Sequence, residues 1–213
     1  AGNTLSSALS GLGVSVQGTV ISGVTPTGVK EVAQVSHSIY DVLSYMLKES
    51  DNHSAITIFK LLGALKDKPG TIEKGQSVIS SFLSEIGVDR YSYEILEGSG
   101  LTRFNKVNAE VYMKLLKFMY DDRFLFDYFM NSLTIAGKDG TLKNRMKGTI
   151  AEGNVFAKTG TLNGVSALSG YIIDQDSEVL IFYCVMNGFG GNATAMRDVQ
   201  DLVCIYAANF SRE

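Results

Sequence analysis

The residues best suited to chemistry are Lys158, Thr159, Gly160 and Thr161, which follow the apolar pair Val155-Phe156 and precede Leu162-Asn163-Gly164. This setting predicts a Lys-Thr-Gly triplet at the edge of a strand. There the ammonium group can hold an anionic carboxylate, and a cation within about 4–6 Å lowers the pKa of neighbouring acids by favouring their ionised forms. The Thr159 hydroxyl can share that contact. Gly160 has no Cβ and lets a ligand approach the backbone, which makes the Thr161 N–H a candidate oxyanion donor. Far upstream lies Ser50-Asp51-Asn52. Ser50 can relay a proton to a leaving nitrogen, and Asn52 can bind a substrate amide carbonyl or fix a catalytic lysine. Acyl transfer from an amide needs such groups together with a nucleophile and its base. Either triplet alone is uninformative, since Lys-Thr-Gly often marks a strand entering a turn and Ser-Asp-Asn a helix cap. Their joint occurrence, in this order and each in a suitable local setting, carries the signal.

The elements around them follow from periodicity. Ile39, Val42, Leu43, Met46 and Leu47 have helical spacing that stops near Glu49, and a second helix with Ile56, Phe59 and Leu62 follows Asn52, so the triplet sits in a helix-to-helix turn. Thr4 to Leu12 reads as a short helix, Val14 to Val20 as a strand, and Ser22 to Lys30 as a loop. Gly75 to Ile86 is an amphipathic helix closed by Gly87, Tyr91 to Leu96 a strand candidate, and Asn108 the start of another helix. Phe124 to Leu133 continues as helix or compact turn, and Gly137 to Gly153 as a polar glycine-rich loop. Three strands are expected at Asn154 to Lys158, Val165 to Ile173 and Glu178 to Met186, the last two joined as a hairpin by Asp174-Gln175-Asp176-Ser177. Val179 to Met186 is nearly all apolar and is expected inside the sheet. A final helix spans Ala193 to Phe210. Helices grouped before an antiparallel sheet, with one more after it, define an α+β class.

Composition narrows the function. The 213 residues are 45% hydrophobic and 19% charged, an ordinary globular balance, and no repeat or low-complexity linker divides them. One domain, incomplete in this chain, is expected. A net charge of −3 without a basic run gives no attraction for nucleic acid. No apolar run reaches the roughly 18 residues of a transmembrane segment. Cys184 and Cys204 are too far apart for a CxxC site and are read as buried thiols; with only His37 and His53 beside them, no metal or other cofactor is expected.

Four segments resemble a known family: Met46-Leu47-Lys48-Glu49-Ser50-Asp51-Asn52; Glu97-Gly98-Ser99-Gly100-Leu101-Thr102-Arg103; Ser132-Leu133-Thr134-Ile135-Ala136-Gly137-Lys138-Asp139-Gly140-Thr141-Leu142; and Ala157-Lys158-Thr159-Gly160-Thr161-Leu162. With these, the chain is similar to the C-terminal part of the class C low-molecular-mass penicillin-binding proteins, the D-alanyl-D-alanine carboxypeptidase/endopeptidase family. The resemblance implies the penicillin-recognising α+β fold of serine β-lactamases and DD-peptidases, with residues 1–213 as the C-terminal part of the transpeptidase-like catalytic domain. It also implies acyl-enzyme chemistry on peptidoglycan stem peptides, β-lactam binding by the complete protein, and a periplasmic or extracytoplasmic location. Ser50, Asn52 and Lys158 would be catalytic, and Thr159, Gly160 and Thr161 would bind substrate.

Two departures stand out. Glu97 replaces the aspartate of the usual Asp-Gly-Ser-Gly. No serine is followed three residues later by lysine, whereas Ser-x-x-Lys supplies the nucleophile in this class. In the resembling family that motif lies early in the chain, so a fragment is expected, with the missing N-terminal part as its partner. The alternatives are a non-catalytic peptidoglycan-binding domain and a β-lactamase-like hydrolase. Among other candidates, Ser99 is read as part of a tight turn and His53 as a surface residue. Arg145 and Lys138 are read as solvated loop residues, and Phe124, Phe126, Tyr128 and Phe129 as core.

Overall fold

A computed structural model describes residues 2–24 and 26–212. Its contacts divide into two units, Ala1–Ser36 and His37–Glu213. In the first, helix α1 spans Gly2–Gly11 and buries none of its residues. The strand expected over Val14 to Val20 is absent: these residues are exposed and irregular. Alternating side chains alone do not make a strand, which needs a ladder partner for its backbone groups.

The second unit begins with α2 (Ile39–Glu49), α3 (Asn52–Lys66) and α4 (Ile72–Glu85), followed by short strands β1 (Tyr93–Glu94) and β2 (Lys106–Val107). Helices α5 (Ala109–Asp121) and α6 (Arg123–Ser132) lead into strands β3 (Thr134–Ile135), β4 (Val155–Leu162), β5 (Val165–Ile173) and β6 (Val179–Asn187), and α7 (Thr194–Ala208) closes the chain. Side-chain caps explain where several helices start. Ser38, Asp51, Thr71, Asn108 and Asp122 each accept a hydrogen bond from a first-turn N–H, a contact worth about 1 kcal/mol.

The main sheet has the order β3-β4-β5-β6, antiparallel throughout, and a second pair joins β1 to β2. The two-residue side-chain period separates two cores. Val155, Ala157, Leu168 and Ile172 face Cys204 and Ala208 of α7, while Phe156 and Tyr171 pack with Leu116, Phe126 and Leu133 on the opposite, helical face. A further cluster joins Leu83 and Val88 to Tyr93 and Val111. Tyr171 is fully buried and its hydroxyl donates to Leu116 O at 2.8 Å, tying β5 to α5. Tyr171→Phe, which keeps the ring and removes this bond, is expected to destabilise the protein by about 0.5–1.5 kcal/mol in urea unfolding.

Several sequence expectations need correction. Val179–Met186 is an edge strand, half-buried along its length, rather than an interior one. Its apolar composition does not reveal which neighbours it has. Tyr91 to Leu96 contributes only two strand residues, preceded by a 3₁₀ turn at Arg90–Ser92. Strand β3 was not anticipated, and β4 continues past Lys158 through Leu162 because it pairs with the whole of β5 as far as Val165. Among the aromatic residues of α6, Phe126 is buried, but Phe124 and Tyr128 are 71% and 49% exposed. Cys204 is buried and Cys184 half-buried, both as free thiols; burial pushes the Cys204 pKa up to about 12.

The polar 137–153 segment is more than a solvated loop. It contains the 3₁₀ turn Gly140–Leu142 and buries Leu142, Met146 and Ala151 against β4 and α7. Arg145, expected in solvent, is half-buried: its Nε and Nη2 donate to Asp201 Oδ1 at 2.9 and 2.6 Å. Lys138 pairs with Glu152 at 2.8 Å.

Candidate active site

The two triplets meet midway along β4. Helix α2 ends when Ser50 adopts the left-handed conformation, φ 56° and ψ 47°, and its N–H returns to Met46 O. Asp51 immediately caps α3 by accepting from Ser54 N at 2.7 Å. This tight reversal turns the Ser50 hydroxyl toward the sheet, where Lys158 Nζ donates to Ser50 Oγ at 2.7 Å. Lys158 also donates to Thr159 O at 2.8 Å. Burial alone lowers the Lys158 pKa to about 8, because a partly desolvated ammonium is disfavoured relative to the neutral amine.

Asn52 donates from Nδ2 to Ser99 O at 2.6 Å, which brings the Glu97-Gly98-Ser99-Gly100 turn beside the end of α2. Glu97 stabilises that turn from within, its carboxylate accepting from Ser99 N at 2.7 Å and Thr102 N at 3.3 Å. These donors hold its pKa low despite desolvation, the largest single influence and an opposing one. The longer acidic side chain therefore still serves as a backbone acceptor here. Ser99 belongs to the tight turn, as expected, and His53 is exposed.

A second support was not assigned from the sequence. Lys48, two residues before Ser50, reaches Leu133 O at 2.9 Å and forms an ion pair with Asp139. Asp139 in turn accepts from Ile135 N at 2.8 Å. Thr141 follows two residues later and shares a 2.8 Å hydrogen bond with the Thr159 hydroxyl. The quoted Ala-Gly-Lys-Asp-Gly-Thr-Leu segment carried the only sequence signal for this contact; the partnership with Lys48 spans the chain.

Strand β4 has an open edge at the site. Strand β3 pairs only with Phe156 and Ala157, so Thr159 to Leu162 have β5 on one side and no strand on the other among the described residues. Ala136 N donates to Val155 O on that outer side. By the alternation of an antiparallel ladder, the peptide groups of Thr159 and Thr161 point outward in the same way. Gly160 faces β5 across Ala167, and a Cβ placed on it would lie an ordinary 3.4 Å from that side chain. A cleft of about 600 Å³ follows the open edge, lined by Ser50, Thr141, Thr159, Thr161, Arg145 and Arg197 among others. The structure thus brings Ser50, Lys158, Thr159 and Thr161 together directly, while Asn52 touches the neighbouring turn.

Helices flanking an antiparallel sheet, with a lysine strand edge facing a serine turn, form an α+β fold similar to that of penicillin-binding protein 4. The solved penicillin-binding protein 4 of Haemophilus influenzae, in complex with a β-lactam, matches with a TM-score of 0.82 and 25% identity over 98% of this chain and 50% of that one. The D-alanyl-D-alanine carboxypeptidase of Actinomadura sp. (strain R39) is 36% identical over 220 residues, covering 99% of this chain and 40% of the relative. D-alanyl-D-alanine carboxypeptidase DacB of Haemophilus influenzae is 31% identical over 184 residues, covering 84% of this chain and 38% of the relative. The model of the D-Ala-D-Ala carboxypeptidase 3 (S13) family matches residues 1–209. The chain belongs to that family and spans about 40% of the length of these curated relatives.

Proposed function

We propose that the complete gene product is a serine-type D-Ala-D-Ala carboxypeptidase/endopeptidase acting on peptidoglycan stem peptides outside the cytoplasm, and that it is acylated by β-lactams. Residues 1–213 are then the C-terminal part of its transpeptidase-like catalytic domain. The observation that carries this reading is the 2.7 Å Lys158–Ser50 contact at the open edge of β4, which joins two distant motifs in one cleft. The upstream part supplies the nucleophilic serine and its lysine. Support for such a partner comes from the length of the relatives, the edge of β6 that no strand pairs among the described residues, and the exposed apolar face of α7, where Leu202 and Tyr206 are 52% and 74% exposed.

In this reading, serine attack on the D-Ala carbonyl forms an ester and breaks the amide bond. Ser50, held by Lys158, passes a proton to the leaving amine, and the Thr161 N–H stabilises the oxyanion. Lys158 and Thr159 attract the carboxylate, Gly160 permits close approach, and Asn52 binds a substrate amide carbonyl or fixes the upstream lysine. Water then hydrolyses the ester. A labelled penicillin tests the assignment. The complete gene product is expected to be acylated on a serine outside this chain, and residues 1–213 alone are expected not to label. Absence of labelling in the complete product supports a non-catalytic peptidoglycan-binding domain instead, and a stable adduct on the isolated chain overturns the view that its nucleophile lies upstream.

A further inference from the structure

Beyond Ala157, β4 has a strand on one side only among the described residues, so the position of Thr161 is inherited from β5. Thr161 lies directly opposite Ser166. Because the peptide groups of Thr161 point away from β5, this is a non-hydrogen-bonded pair, in which the two backbones come closest and the side chains stand together on the α7 face. Helix α7 holds both members. Arg197 Nη2 donates to Thr161 Oγ1 at 3.3 Å, and from the next turn Gln200 Nε2 donates to Ser166 Oγ at 3.2 Å. Gln200 is fully buried, and both ends of its amide are engaged: Nε2 also reaches Cys184 O on β6 at 3.5 Å, and Oε1 accepts from Arg145 Nη2 at 3.2 Å. Arg145 is itself fixed by Asp201 and by Arg197 O. One amide therefore links β5, β6 and the cleft wall at the level of Thr161.

We infer that Gln200 is a positioning residue: through Ser166 it sets where the Thr161 N–H lies, and so the alignment of the oxyanion donor. This rests on the acyl-transfer reading above, in which that N–H stabilises the oxyanion. Gln200 touches neither the substrate nor the reacting atoms. The oxyanion develops only as the tetrahedral transition state is reached, so a displaced donor slows the chemical step without weakening initial binding. A side chain that only filled the core would change stability and leave the rate of the folded molecules intact.

The test follows penicillin acylation of the complete gene product over a range of penicillin concentrations, which separates the initial dissociation constant from the first-order acylation constant. The variants are Gln200→Met, which keeps most of the side-chain volume and removes its hydrogen bonds, Ser166→Ala, and the two combined. Gln200→Met is expected to lower the first-order constant by about 10–100-fold, the scale of a displaced rather than a deleted group, and to leave the dissociation constant within about twofold. Ser166→Ala should act in the same way, and the double variant should be no slower than the slower single one, because both substitutions break one contact. A first-order constant does not depend on how much of the sample is folded, so lost stability alone leaves it unchanged. An unchanged first-order constant in either single variant overturns the proposal, as does a loss confined to the dissociation constant or full additivity of the two substitutions. If Gln200→Met yields no folded protein, Ser166→Ala decides by the same criterion. If the unsubstituted product is not acylated, the acyl-transfer reading fails and the proposal falls with it, an outcome distinct from a variant effect.

Discussion

Replacing Lys158 by methionine is expected to slow penicillin acylation of the complete gene product by roughly 10²–10³-fold, the range seen when one pre-positioned electrostatic donor is removed from an active site. Two effects combine. The variant loses the cation that attracts the β-lactam carboxylate, and it loses the 2.7 Å donor that orients the Ser50 hydroxyl. The same residue sets a pH dependence. Burial lowers its pKa from 10.5 to about 8, so the protonated form that binds an anion is complete well below pH 8 and is lost as pH rises through that value. The second-order acylation rate reports the free protein. It should therefore fall on the alkaline side of about pH 8, whereas a lysine at its ordinary pKa would keep the rate level to about pH 10. A rate unaffected by Lys158→Met, or a profile flat beyond pH 9, would remove Lys158 from the proposed role.

Gly140→Ala should produce a large loss of stability near the site. Gly140 has φ +49°, and an added Cβ would lie 2.6 Å from both Lys48 O and Thr134 Cγ2. The left-handed backbone alone costs a non-glycine residue about 1–3 kcal/mol. The overlap with Lys48 O adds to this and pushes directly on the turn that presents Ser50. We expect a clear drop in the thermal midpoint of the complete gene product together with slower penicillin labelling. Gly160→Ala is the contrasting case. Its new methyl group meets only Ala167, at 3.4 Å, so the thermal midpoint should hardly move. Labelling should still weaken if the strand needs a bare backbone for ligand approach. Equal stability losses in the two variants would contradict this division between packing and function.

Much of the framework was legible because it depends on local rules. The helical spacing from Ile39, the Asp51 and Asn108 caps, and the Asp174 turn all rest on residues within a few positions of one another. In that turn, Asp174 Oδ1 accepts from Asp176 N at 3.0 Å and from Glu178 N at 2.8 Å. The failures were of another kind. The edge position of β6, the irregular Val14 to Val20 segment and the two-residue β1 and β3 depend on which strand lies alongside, and hydrophobic pattern says little about that. The exposed Phe124 and Tyr128 and the half-buried Arg145 show the same limit: burial is decided by the neighbour that arrives, here Asp201 for Arg145.

For the site itself, the sequence alone determined the chemical groups available and the family resemblance, since Lys158-Thr159-Gly160 and Ser50-Asp51-Asn52 can be read as short, ordered motifs. Only the tertiary structure decided their use. The left-handed Ser50 turns its hydroxyl to Lys158, and burial brings that lysine to about pKa 8. Lys48 and Asp139, 91 residues apart, brace the turn, and Arg197 is carried to Thr161 by the packing of α7. Distances between residues remote in the chain, and the desolvation that follows from them, are products of how elements pack, and no local pattern of residue types encodes them.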